Sequence, residues 1–144
     1  MKSMAKGSKL TDDDYRRLLE FRTAIRKFLQ YSKAQAAGVG LTPTQHQLLL
    51  AVRGHRDPQG PTIGQVAECL LIRHHSAVEL VDRAEAAGLV ERRQDRGDHR
   101  VVRLALTRSG GDKLERISRA NLAEVRRLGP EFQDEWQAID RLAQ

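Results

Sequence analysis

Apolar side chains recur at helical spacing through Leu18, Phe21, Ile25, Phe28 and Leu29. Ahead of them, Thr11-Asp12-Asp13-Asp14 has the form of an N-cap followed by acidic first-turn residues, so a first helix is predicted that ends before Gly38 or Gly40. Thr42-Pro43-Thr44-Gln45 has capping-box spacing, with proline at the first helical position, where a missing N–H leaves no bond unmade. It opens a second helix through Leu48, Leu49 and Val52 towards Gly54. HRDPQGP then reads as a loop, and Thr62-Ile63-Gly64-Gln65 repeats the box ahead of a short third helix ending near Leu70 or Leu71. A fourth helix carries Ala77, Leu80, Val81 and Ala84 on one face, and Gly88 suits its left-handed stop.

Beyond Gly88 the period changes. Leu89–Arg93 and Arg100–Leu106 read as two strands, the second alternating Val102, Leu104 and Leu106 against Val101, Arg103 and Ala105. Between them QDRGDH is a polar hairpin tip, with Gly97 expected to supply positive φ. Thr107 caps a fifth helix bearing Leu114, Ile117, Leu122, Val125 and Leu128. Gly129-Pro130 is expected to break it, leaving Phe132, Trp136 and Ile139 on a final helix.

Short helix, tight turn, longer helix and hairpin is the plan of a winged helix-turn-helix, which puts its second helix in the DNA major groove and its wing over the backbone or minor groove. The fold class is therefore mainly α with a small β-hairpin wing. Composition agrees with that assignment. The 144 residues carry 25 Lys+Arg against 19 Asp+Glu, a net +6, which favours polyanionic partners. From Arg92 to Arg108 the arginines at 92, 93, 96, 100, 103 and 108 face only Asp95 and Asp98. A single cysteine rules out an intramolecular disulfide framework, and Cys69 is expected to be a small buried hydrophobe. No apolar run approaches the roughly 20 residues of a membrane span. The opening MKSMAKGSK lacks a hydrophobic region, so residues 1–9 read as a disordered lead-in and the protein as soluble and cytoplasmic.

Candidate chemistry concentrates around the fourth helix and the wing. Arg73, His74, His75 and Ser76 form the leading turn of the recognition helix, where side chains reach base edges and backbone N–H groups meet phosphate. Glu79 could accept from a cytosine amino group or pair with Arg83 one turn on. Arg92, Arg93, Arg96 and Arg100 supply the wing's positive charge. His74 and His75 point about 100° apart on a helix, and neither CxxC nor HExxH occurs, so no metal and no cofactor is expected. Nor is there a nucleophile–base pair or a phosphate-cradling glycine loop, and the chain does not read as an enzyme.

LTPTQHQLLLAV, TIGQVAECL, LVDRAEAAGLVERR and DRGDHRVVRLALTRSG together resemble the MarR family of transcriptional regulators, in its order and spacing, over about residues 15 to 130. The densest motif, LVDR, GLV, Asp-x-x-Asp-x-Arg and LT-x-x-G, is rarely met elsewhere. The resemblance implies a homodimer whose first and last helices intertwine. Residues 10–40 and 109–144 would form the dimerisation helices, flanking a DNA-binding lobe at 41–108. It implies double-stranded DNA with a pseudo-palindromic operator as partner, repression as the usual outcome, and release by a small, often phenolic or aromatic, effector. It also suggests Asp95 and Asp98, with Gly97, as residues positioning a wing arginine, and His46, Arg22 and Arg26 as candidates beside an effector cleft. Departures from the family pattern are Arg73 where Ser or Thr often caps, Ala84 where leucine is usual, and a first helix without cysteine.

Overall fold

Three threonines start three helices by the same local chemistry. In the computed structural model, which describes residues 9–144, the chain runs α1 (Asp12–Gly38), α2 (Pro43–Arg53), α3 (Ile63–Leu70), α4 (His74–Ala86), β1 (Val90–Gln94), β2 (Val102–Leu106) and α5 (Arg108–Leu142). The lead-in expected over 1–9 lies, Lys9 apart, outside the described residues. At α1 the Thr11 hydroxyl accepts from the Asp14 N–H at 3.2 Å, and the Asp14 carboxylate accepts from the Thr11 N–H at 2.8 Å. Thr42 with Gln45, and Thr62 with Gln65, form the same reciprocal pairs at the starts of α2 and α3. A cap of this kind stabilises its helix by about 1 kcal/mol.

The chain divides into two units. One comprises Lys33–Arg119, and the other holds the described part of the N-terminal 32 residues together with Ala120–Gln144. In the first unit, Leu48 and Leu49 of α2, Val66 of α3 and Val81 and Ala84 of α4 are buried against Leu89, Val90, Leu104, Leu114 and Ile117. The two antiparallel strands pair Val90 with Leu106 and Gln94 with Val102. β1 has the expected length but starts one residue later, β2 is two residues shorter than the alternation suggested, and Val102, at the tip end, is exposed.

α4 ends in a Schellman arrangement. Gly88 sits at φ +73°, its N–H donates to Glu85 O at 3.0 Å, and the Leu89 N–H reaches back to Ala84 O at 2.9 Å. Thr107 then opens α5, accepting from the Gly110 N–H at 3.1 Å and donating its own hydroxyl to Gly88 O at 2.6 Å. Gly60 holds the α2–α3 loop hard against the sheet. At φ +88°, a Cβ there would lie 2.0 Å from Leu104 O.

In the second unit Phe21 of α1 meets Phe132 and Trp136 of α5 at ring-centroid distances of 5.7 and 5.8 Å. The Asn121 amide donates to Ser32 Oγ at 2.9 Å.

Three sequence-based expectations need correction. Pro130 does not break the last helix: α5 is continuous from Arg108 to Leu142 with the proline inside it. A proline removes one N–H donor and crowds the carbonyl four residues back, at about 3 kcal/mol. Packing of Phe132 and Trp136 on Phe21, and burial of Ala138, lie beyond it and favour continuation. Gly97 is not in the positive-φ region, which among the described glycines holds only Gly40, Gly60 and Gly88. Cys69 is exposed, because α3 turns Val66 and Ala67 inward and Glu68 and Cys69 outward.

Candidate nucleic-acid interface

The turn between α3 and α4 is closed by Leu71, which caps α3 in the left-handed region at φ 55° and is 92% exposed. Arg73 is the N-cap of α4 and makes no side-chain capping bond, so the first N–H groups of α4 have no capping side chain. His74 and His75 are exposed in that leading turn, and Ser76 is half-buried. Ala77, Val81 and Ala84 fix the opposite face in the core, which sets the rotation of the helix. Glu79 and Arg83 are both exposed, and no ion pair joins them among the described residues.

The wing arginines divide by what they touch. Arg92 reaches α4, its two terminal nitrogens each 2.6 Å from a carboxylate oxygen, one on Asp82 and one on Glu85. The Asp82 hydrogen bond, with help from Glu85, raises its pKa above the ordinary guanidinium value. This side chain ties the hairpin to α4, and its charge is offset within the fold. Arg93 pairs with Glu91 on its own strand. Arg100 is held by Asp98, whose Oδ1 accepts the Arg100 Nε at 3.1 Å and whose Oδ2 accepts Nη2 at 3.1 Å. That fork, with the Arg100 backbone N–H, pulls the Asp98 carboxyl below its usual pKa. The Arg100 side chain nevertheless remains 91% exposed. Arg96 is exposed, and its side chain has no ion pair or hydrogen bond among the described residues.

Asp95 organises the tip. Its Oδ1 accepts from the N–H groups of Gly97 at 2.8 Å and Asp98 at 2.9 Å, an Asx-type turn that needs no positive φ and explains the ordinary backbone at Gly97. Its Oδ2 accepts from Arg103 Nε at 2.7 Å and Gln59 Nε2 at 3.4 Å. The Asp98 N–H, then Arg103, then the Gly97 N–H lower the Asp95 pKa to about 2. Gln59 completes the clamp by accepting the Arg96 N–H at 2.8 Å, and Arg103 also donates to Gly60 O at 3.0 Å.

An exposed helix start beside a basic hairpin clamped by a buried carboxylate is the winged helix-turn-helix arrangement. Residues 39–101 match the MarR family model. That stretch, under half of the chain, is what resembles the family. A solved MarR family transcription regulator superposes with TM-score 0.74 at 21% identity, covering 92% of this chain and 86% of the other. AbsC, a MarR family transcriptional regulator from Streptomyces coelicolor, gives TM-score 0.72 at 21% identity, over 95% of this chain and 96% of its own. A point mutant of MepR from S. aureus, solved bound to an oligodeoxyribonucleotide, gives 0.64 at 20% identity, over 94% and 95%. Likeness at this identity fixes the fold. The curated proteins include no match to the sequence.

Gln59, Gly60 and the clamping role of Arg103 are what sequence reading passed over. Arg103 lies diagonally across the hairpin from Asp95, and strand register would have placed them together once the pairing was known. Gln59 lies 36 residues before Asp95 and carries no local signal. His46 is buried in α2, and burial lowers its pKa. Arg22 and Arg26 are exposed on the part of α1 that belongs to the other unit. Among the described residues no group of three or more His, Cys, Asp or Glu is placed to hold a metal, and no helix is long and apolar enough to cross a membrane.

Proposed function

We propose that the protein is a homodimeric, sequence-specific DNA-binding transcriptional regulator that represses from a pseudo-palindromic operator. The observation carrying this reading is the tip of the wing: Arg96 and Arg100 are exposed on a hairpin made rigid by Asp95, in the same unit as an α4 start whose histidines are free. Pre-ordered arginines suit backbone or minor-groove contact, because little side-chain and loop entropy is left to lose on binding. His74, His75 and Ser76 would then read base edges in the major groove, with Glu79 and Arg83 one and two turns on. Arg92 serves as a strut and not as a phosphate contact, since two carboxylates already hold it. Arg93 contributes only if Glu91 releases it.

Dimerisation is assigned to 10–40 and 109–144. Supporting it, Leu19, Leu29, Leu122 and Trp136 are exposed in the terminal unit, Leu122 to 68% and Trp136 to 55%, a pattern a lone soluble chain seldom presents. Two recognition helices related by a two-fold axis require half-sites about 10 bp apart, or a multiple of that spacing. Relief by a small aromatic effector is part of the proposal, with His46, Arg22 and Arg26 the residues to vary. Selection of bound fragments from random double-stranded DNA tests the core of the reading. An imperfect inverted repeat is the expected product; asymmetric sites alone, or no enrichment, would overturn it.

A further inference from the structure

The hairpin has a second face. Arg93 and Arg103 are cross-strand partners and share the side opposite to Arg92 and Leu104. Between the strands and the loop running from Arg53 to Gly60 lies a groove of about 410 Å³, and its walls include Arg53, His55, Asp57, Gln59, Arg93 and Arg96. Asp57 is the only carboxylate among the lining residues, and it is engaged: its Oδ1 accepts the Gln59 N–H at 2.9 Å, and its Oδ2 lies 3.6 Å from Arg103. Glu91 offsets Arg93. Arg53, His55 and Arg96 have no side-chain ion pair or hydrogen bond among the described residues. Arg103 is shared between Asp95 and Asp57, so the groove and its flank keep a surplus of one positive charge, with the Arg53 and Arg96 guanidinium groups and the His55 imidazole unpaired.

We propose that this groove binds a phosphate group, held by Arg53 and Arg96 with His55 as a further donor. A concavity with a surplus of positive charge concentrates counter-ions, and guanidinium forks match phosphate oxygens two at a time. The phosphate comes either from a free phosphorylated small molecule or from a DNA backbone. In both cases binding bears on the wing, because Gln59 and Arg96 belong to the groove and to the tip clamp together. The connection to DNA control rests on the function proposed above; the phosphate site itself does not.

The test uses the full chain, with pyrophosphate as the probe at constant ionic strength in titration calorimetry, and a scrambled DNA duplex in fluorescence anisotropy across a salt series. Arg53→Glu reverses charge at an exposed position, and thermal denaturation checks that it folds; Arg126→Ala is the control for loss of an exposed arginine elsewhere. A small-molecule source gives saturable pyrophosphate binding that Arg53→Glu weakens at least about tenfold and Arg126→Ala leaves alone, with duplex affinity hardly changed. A backbone source gives a duplex affinity and salt slope lowered by Arg53→Glu, the slope by about one unit, with duplex displacing pyrophosphate. Saturable pyrophosphate binding that depends on Arg53, in a protein that binds no DNA, keeps the site and removes the regulator reading. No saturable pyrophosphate binding together with unchanged duplex binding in Arg53→Glu overturns the proposal, as does equal weakening by Arg126→Ala.

Discussion

Arg103 Nε donates to Asp95 Oδ2 at 2.7 Å, with the two side chains only 16% and 12% exposed. The same carboxylate takes two backbone N–H groups of the tip, so one ionised group holds the turn, the second strand and, through Gln59, the α2–α3 loop.

That arrangement makes the wing acid-sensitive. The folded pKa of Asp95, about 2, lies below the unfolded value, so its contribution to stability is complete above the unfolded pKa and is lost as pH falls towards 2. Amide exchange at Gly97 and Asp98, followed between about pH 5 and pH 2, is expected to lose protection over that window. In Asp95→Ala both amides should exchange about tenfold faster even at neutral pH, since each loses its acceptor. Protection equal to wild type in that variant would remove Asp95 from its role.

Gly60→Ala adds a methyl group where none fits. With φ at +88° and Leu104 O only 2.0 Å from the added Cβ, backbone must shift on both sides of the contact. A loss of about 3 kcal/mol or more in urea unfolding is expected. A change within about 0.5 kcal/mol, typical of an unconstrained surface site, would contradict the close approach.

Leu71 points the other way. Left-handed backbone costs a side chain about 1–2 kcal/mol, and a leucine 92% exposed recovers nothing by packing. Leu71→Gly should therefore stabilise the fold by roughly 0.5–1 kcal/mol after the added flexibility of the unfolded chain is subtracted. Chemical denaturation decides the sign. If that leucine contributes to DNA binding, affinity falls while stability rises.

Under the proposed function the wing and α4 should fail differently. Arg96→Ala or Arg100→Ala is expected to weaken binding to operator and scrambled DNA alike and to lower the salt slope by about one unit each. His75→Ala should reduce operator binding by roughly 1–3 kcal/mol and spare scrambled DNA. Arg92→Ala should lower thermal stability with little change in salt slope, because its partners are Asp82 and Glu85. Affinities measured against both DNAs across a salt series separate the three.

What could be read from the sequence was local. Thr42 with Gln45 and Thr62 with Gln65 announce their helices because each box closes within four residues. Gly88 is legible for the same reason. Pro130 misled because its local penalty is visible in sequence and the compensating contact with Phe21, more than a hundred residues away, is not. Gly97 misled because the Asp95 side chain, not glycine's freedom, makes the turn. At the candidate site, the exposed tip arginines and the leading turn of α4 follow from pattern and periodicity. The division of arginines into struts and free charges does not, since it depends on Asp82, Glu85 and Gln59 lying where only the folded chain puts them.

The clamped tip also bears on how the protein meets proteases. Arginines at 92, 93, 96, 100 and 103 make the hairpin a run of trypsin sites, and exposed loop tips are ordinarily where nicking starts. Trypsin needs several residues drawn out into an extended strand, whereas here Asp95 and Gln59 bind the backbone of Arg96, Gly97 and Asp98 inward. Cleavage after Arg96 must wait for the clamp to open, so the wing resists digestion for as long as that one carboxylate keeps its charge.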